Sequence, residues 1–463
     1  FNRWSFLNMR SLFPTADVKS SGGDIKPLST ANQDLLSIQF SDHKGANTTV
    51  SEFIDTTYTD GFIVLHKDKV IVENYYNGMV AYTPHLCQSV SKSIVGSLAG
   101  ILCDQGVLDI NAPLVDYVPE LAGCGYKDTK LSQALSMTSG VQFVEDYNAP
   151  YSDMTRIDIA CGWRPTPDGS EPSTIHDVIL SLPKARPHGE VFNYRSVETD
   201  VVAWAIERAT KQSLSELVSQ YIWQKINAEH NAFFTVDKAS TAVASGGFNA
   251  TLGDLARFGL MMQNNGIAGD TRVVPANWVE NCAQGDNSLY LPPYTDTSPQ
   301  GAYNNFWWID NIEKGDFMAR GVFGQMIYIN RQAQMTIVKL STWPDYLKPD
   351  FTQNSLLAFR AIREAQRREG LPKVHRRGRD RGNERGFRVP TQRVAQQLSE
   401  DGVAVRHDDL AARVVLLLDE LRHDVTKGGE RLVDRARLLE VRPHRPRRRL
   451  ALATREIDEV NAR

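Results

Sequence analysis

The sequence predicts an α+β fold, that is, an α/β chain in which an antiparallel sheet flanked by helices is joined to a mostly helical region. Three observations carry that expectation. Hairpin-type strand pairs stand near both ends of the main body, at residues 61–76 and 324–340. Between them, residues 105–240 place apolar residues at helical spacing. The length of 463 residues leaves room for more than one folded region. Strands from both ends must meet across the intervening chain, so the helical insert packs to one side and a cleft forms at the seam.

The elements follow in chain order. Residues 1–60 are mixed and rich in small polar residues, and read as a surface segment leading into the strands. Residues 61–66 (GFIVLH) and 70–76 (VIVENYY) are β-branched and aromatic runs joined by Lys67-Asp68-Lys69, a hairpin signal. Ser89-Val90-Ser91-Lys92 opens an apolar run to Leu102, the pattern of a buried helix. Helices are predicted over Val197 to Ala209, Leu214 to Ile226 and Gly253 to Asn264. Strands return at Gly324 to Ile329 and Met335 to Leu340, separated by the turn Asn330 to Gln334, and a helix from Phe351 to Glu364 closes the body. The expected domains are residues 1–104 and 241–365 as two parts of one α/β domain, 105–240 as the helical region, and 366–463 as an Arg-rich tail.

Composition narrows the function classes. Hydrophobic residues make up 41% of the chain, enough for a large core, and no run approaches the ~20 apolar residues of a membrane span. Five scattered cysteines lack metal or redox spacing and read as buried free thiols. Residues 367–463 carry 24 Lys+Arg against 16 Asp+Glu, a surplus of 8, so the body carries about −11 of the net −3 and has no basic face for nucleic acid. The tail is compatible with a flexible extension, a reading-frame artefact or a basic arm. No zinc motif, Walker loop or dinucleotide fingerprint is present, so neither a cofactor nor a metal is expected. Nothing in these residues settles the compartment, with the cytoplasm favoured over a periplasmic or secreted location.

The chemistry-bearing residues begin with Ser89 and Lys92. Three apart at a helix start, they share a face. The positive helix end stabilises a developing alkoxide and eases proton loss from a neighbouring lysine. A serine hydroxyl is a weak nucleophile until a base takes its proton. Tyr194, in Phe192-Asn193-Tyr194-Arg195-Ser196 after a Pro-His-Gly turn, is a candidate proton carrier beside the Lys92 cation. Acyl transfer also needs two donors for the oxyanion. The backbone N–H groups of Ser89 and of Gln325, at a glycine-marked strand start, are the candidates.

Ser-x-x-Lys, then Tyr-x-Ser about a hundred residues on, then a glycine-marked strand near the end of the body, resembles the order in class C β-lactamases and their relatives. Residues 135–141 (LSMTSGV), 245–251 (SGGFNAT) and 254–258 (DLARF) also look like that family, and the resemblance spans roughly residues 3–365. Within it, residues 145–147 (EDY) and 158–164 (DIACGWR) are similar to the substrate loop of the 6-aminohexanoate-dimer hydrolases, nylon-oligomer hydrolases with carboxylesterase activity. The resemblance implies a β-lactamase/transpeptidase-like fold and an acyl-enzyme serine hydrolase of linear amides or short esters. By the same resemblance Tyr147 would contact the scissile amide, Asp158 would meet a substrate ammonium, Trp163 would sit on a mobile flap, and the chain would form a homodimer. A departure from the pattern is Val322-Phe323-Gly324 where β-lactamases carry Lys-Thr-Gly. The missing cation counts against β-lactamase or D-amino-acid peptidase activity, the alternative enzyme class. A non-catalytic peptide-binding relative is the alternative of another class.

Overall fold

A computed structural model describes residues 2–369, apart from Asp24, Asp168, Ser170, Glu171 and Pro172; the Arg-rich tail from residue 370 lies outside the described residues. Strand residues alternate between two apolar surroundings, which forces a sheet covered on both faces. Its eight strands are β1 (Ser29–Thr30), β2 (Thr59–His66), β3 (Lys69–Tyr75), β4 (Ala302–Asn304), β5 (Trp307–Asn311), β6 (Asp316–Gly321), β7 (Gln325–Asn330) and β8 (Met335–Ser341). They lie in the order β4-β5-β6-β7-β8-β2-β3-β1, antiparallel except for the short β1–β3 pair. The two predicted hairpins, β2–β3 and β7–β8, thus meet at the sheet centre through β8–β2 pairing, with Ile337 opposite Val64.

Alternation sorts the core. Ile63 and Leu65 of β2, Phe317 and Ala319 of β6, and Val338 and Leu340 of β8 pack with α1 (Val90–Asp104), α2 (Val197–Thr210) and α3 (Leu252–Gln263). Phe62, Val64, Met318 and Ile337 face the other way, against helix Val50–Thr56 and α4 (Pro349–Glu369). Burying one such aliphatic or aromatic side chain contributes about 1.5–3 kcal/mol, so these two layers hold the sheet between helices. α1 is buried on all sides of its middle. A Cβ on Gly96 would stand 2.3 Å from the Asn305 carbonyl oxygen, so only glycine lets α1 approach the strand region this closely.

The structure departs from the sequence reading in three places. The predicted helix over 214–226 is a short α-helix, Leu214–Val218, continued by a π turn over Ser219–Trp223. Residues 302–321 supply three strands that lacked a clean alternation. A second sheet joins Thr15–Val18, Ala232–Thr235, Phe248–Ala250 and His85–Leu86, drawing a strand from the region read as helical. All five cysteines are free thiols, three of them buried. No helix among the described residues is long and apolar enough to cross a membrane.

Candidate active site

The chain enters α1 through a strained corner. Gln88 has φ 49, a left-handed conformation uncommon outside glycine. Ser89 then occupies the N-cap of α1 but makes no capping bond with its side chain. Its Oγ instead accepts a hydrogen bond from Lys92 Nζ at 2.8 Å. Lys92 is only 1% exposed. Its Nζ also donates to Ser196 Oγ at 3.1 Å and to the Ser245 carbonyl at 2.6 Å, so three acceptors match the three protons of an ammonium. Burial drives the Lys92 pKa below the usual lysine range, and the nearby Glu145 and Asp200 carboxylates oppose that shift.

Tyr194 meets the same serine. Its hydroxyl stands close enough to Ser89 for that side chain to act on its titration, and the Lys92 Nζ lies 5.2 Å from its ring centroid. Burial, then the Glu145 charge, raises its pKa above the usual phenol range, while the Ser89 side chain and the charge of Arg320 pull it down. The loop is held from below. The Asn193 N–H donates to the Met137 carbonyl at 3.1 Å, and the buried Arg195, 3.6 Å from Glu198, also reaches that carbonyl. This is the part played by the 135–141 segment. The 245–251 segment supplies the Ser245 carbonyl, and its Phe248 N–H donates to Ser91 Oγ at 3.1 Å.

On one side of Ser89 a cavity of about 300 Å³ opens, lined by Tyr147, Asp158, Trp163, Arg164, Ser245 and Val322 among others. The three substrate-loop candidates therefore come together at the nucleophile. Asp158 is largely buried and bound by Arg164 Nε at 3.0 Å. Burial raises its carboxyl to about 6 despite that guanidinium. Arg164 also donates to the Tyr147 carbonyl at 2.6 Å, strapping the Trp163 turn onto the Tyr147 loop. The Tyr147 hydroxyl donates to Glu145 Oε1 at 2.7 Å. The same carboxylate accepts from the Ser196 N–H at 2.7 Å and from Ser196 Oγ at 2.5 Å.

The end of β6 forms the opposite wall. A Cβ on Gly321 would stand 2.7 Å from the Cys87 carbonyl oxygen and 3.0 Å from the Ser89 nitrogen, so the strand backbone runs against the nucleophile. Gln325, expected to donate to the oxyanion, does not reach this cavity. It is fully buried and pairs with Gly321 across the β6–β7 hairpin. Its side chain is spent on the Ser341 backbone, with Nε2 donating to the carbonyl at 2.6 Å. Three residues of turn, with Phe323 at φ 61 and Gly324 at φ 91, separate it from the backbone that faces Ser89. Val322-Phe323-Gly324 carries no cation, and a different one precedes it: Arg320, next to Gly321, has its guanidinium 4.8 Å from the Trp308 ring centroid. Cys87 is no rival nucleophile, since burial pushes its thiol up to about 12.

Sequence reasoning passed over Glu145, Ser196, Asp200, Arg164 and Arg320. Ser196 and Glu145 were visible as the third residue of Tyr-x-Ser and as the i−2 neighbour of Tyr147. Asp200 had no local signal. It is buried on α2, and its Oδ1 accepts the Ser245 N–H at 3.0 Å. Burial raises its pKa, and the facing Lys92 opposes that rise.

Comparison with known proteins follows the same lines. The family model described as Beta-lactamase matches residues 47–361. The 6-aminohexanoate-dimer hydrolase of Paenarthrobacter ureafaciens is 35% identical over 346 residues, covering 74% of this chain and 86% of the relative. A solved Bacillus anthracis structure named for 6-aminohexanoate-dimer hydrolase superposes with TM-score 0.73 at 28% identity, over 79% of this chain and 94% of that one. A Bacteroides dorei structure named as a beta-lactamase shares the fold, with TM-score 0.54 at 20% identity over 67% and 97%.

Proposed function

The chain belongs to the beta-lactamase family, and on that footing we propose that Ser89 is the nucleophile of a hydrolase for linear amides and esters of the 6-aminohexanoate-dimer type. The protein is a serine hydrolase of amide or ester bonds. The observation that carries the assignment of residues is the Lys92–Ser89–Tyr194 constellation, in which the Ser89 oxygen accepts from Lys92 Nζ and the Tyr194 hydroxyl stands beside it, so both groups able to move its proton are at hand.

In this reading Ser89 Oγ attacks the carbonyl carbon as its proton passes into the Lys92–Tyr194 pair, whose members titrate together. A lysine with lowered pKa holds a neutral fraction at working pH and so acts as base. Collapse of the tetrahedral intermediate expels the amine or alcohol, protonated by Tyr194. Water then attacks the acyl-enzyme and the proton path runs in reverse. The Ser89 N–H is one oxyanion donor. We place the second on Val322, because Val322 lines the cavity and its neighbour Gly321 abuts the Ser89 nitrogen. Tyr147, Asp158 and Trp163 frame the acyl half of the substrate. A substrate ammonium would share or displace the Arg164 contact to Asp158.

The test is steady-state hydrolysis of a short p-nitrophenyl ester, the linear 6-aminohexanoate dimer and a chromogenic cephalosporin by the protein and its Ser89→Ala variant. Ester and dimer are expected to turn over and to stop doing so without Ser89. Full activity in the variant overturns the nucleophile assignment, and cephalosporin turnover at ester-like rates overturns the linear-substrate reading.

A further inference from the structure

On the footing of that hydrolase reading, we infer that Arg320 and the aromatic shelf beneath it form a carboxylate anchor for the leaving half of the substrate. The site would select linear amides or esters whose departing amine or alcohol carries a terminal carboxylate.

Topology gives the direction. The acyl and leaving halves extend from the carbonyl carbon on different sides. The Asp158–Trp163 cavity takes one side, and neither Tyr194, Trp308 nor Arg320 lines it. Tyr194, the group that protonates the leaving atom, packs its ring into a cluster of aromatic side chains outside that cavity's lining. It stacks on Trp308 with centroids 5.1 Å apart and meets the Tyr303 ring edge-on at 6.0 Å. Trp308 in turn carries the Arg320 guanidinium at 4.8 Å. The leaving half therefore departs across a shelf of aromatic faces that ends in a cation.

The cation is uncommitted. Among the described residues no carboxylate lies within ion-pair distance of Arg320, whereas Arg195 and Arg164 beside the site are paired with Glu198 and Asp158. Its side chain is only partly exposed, so its charge is desolvated on one side and steadied by the Trp308 face. Its charge reaches the hydroxyls of both Tyr194 and Tyr290. A planar guanidinium with free donors is suited to a two-point hydrogen bond with a carboxylate. Gly321, the next residue, runs so near the nucleophile that an added Cβ would stand 3.0 Å from the Ser89 nitrogen, so the anchor is tied closely to the oxyanion site.

The test compares substrates differing only in that charge: the 6-aminohexanoate dimer against its C-terminal carboxamide, and 4-acetoxybenzoate against 4-acetoxybenzamide. The wild-type protein is expected to favour the free acids in kcat/KM by about tenfold, as for a charge-assisted hydrogen bond. Arg320→Gln should bring the acid-to-amide ratio near one, Arg320→Lys should keep part of the preference, and thermal melts check that both variants fold. Calorimetric binding of 6-aminohexanoate to wild type and Arg320→Gln reads the anchor without turnover. Equal ratios in wild type and Arg320→Gln, with product binding unchanged, overturn the anchor. No turnover of any of the four compounds, with product binding that depends on Arg320, overturns the hydrolase reading and supports the anchor.

Discussion

Replacing Asp200 by Asn should move the acidic limb of the pH–rate profile to lower pH by about one unit. Lys92 Nζ lies 2.6 Å from the Ser245 carbonyl, and the N–H of the same residue lies 3.0 Å from Asp200 Oδ1. The two charges thus face each other across one residue's backbone, roughly 8 Å apart on standard peptide dimensions. At an effective dielectric of about 20, unit charges at ~8 Å attract by about 2 kcal/mol, or about one and a half pKa units. Burial holds back ionisation of Asp200 itself, so only part of that charge faces Lys92 as it titrates. The expected effect is therefore the larger part of that, near one unit. The sign follows from the roles. Neutral Lys92 is the active form, so kcat/KM rises as pH passes its pKa, which burial has already lowered. Removing a negative charge takes away what favours the ammonium, the pKa falls further, and activity persists to lower pH. Asn keeps an acceptor for the Ser245 N–H, so the substitution changes charge more than shape. The assay is kcat/KM for a p-nitrophenyl ester across pH 5 to 10, with melting curves to confirm folding. A limb that stays in place or moves upward would show that Lys92 is not the titrating base, or that Asp200 does not act on it.

Glu145→Gln removes the negative charge and one of the two acceptor oxygens that serve Ser196 and Tyr147, putting an NH2 donor in its place. It should lower kcat about tenfold. It should also shift the acidic limb downward, since the Glu145 charge likewise supports the Lys92 ammonium; a normal rate and limb would mean the carboxylate is incidental. Gly321→Ala would push a methyl group into the Cys87 carbonyl and the Ser89 nitrogen, backbone atoms that cannot swing aside. Displacing the nucleophile by a fraction of an ångström should cost about a hundredfold in kcat/KM, with a folded, cooperative melt; near-wild-type turnover would show that the strand end is not close to the reacting carbonyl.

The local parts of this protein were legible in its residues alone. Periodicity placed α1, α2, α3, the two central hairpins and the closing helix, because period-2 and helical burial patterns are written into consecutive residues. It also placed Ser89 beside Lys92, since three residues apart on a helix is a local relation, and it nominated Tyr194, Tyr147, Asp158 and Trp163 through their motifs. The tertiary structure decided what depends on distant segments meeting. Strands β4 to β6 gain their pairing partners only in the assembled sheet, so their local pattern is weak. Asp200 matters because α2 carries it against the Ser245 backbone that also binds Lys92. Gln325 yielded its place at the cavity to the Gly321–Val322 backbone because a three-residue turn with two left-handed residues carries it across the hairpin. Arg320 became a cation of the site only when Trp308, folded in from the neighbouring strand, gave its guanidinium a face to lie on. A hydrogen bond or a field acts through space, and residues far apart in sequence acquire that proximity only on folding.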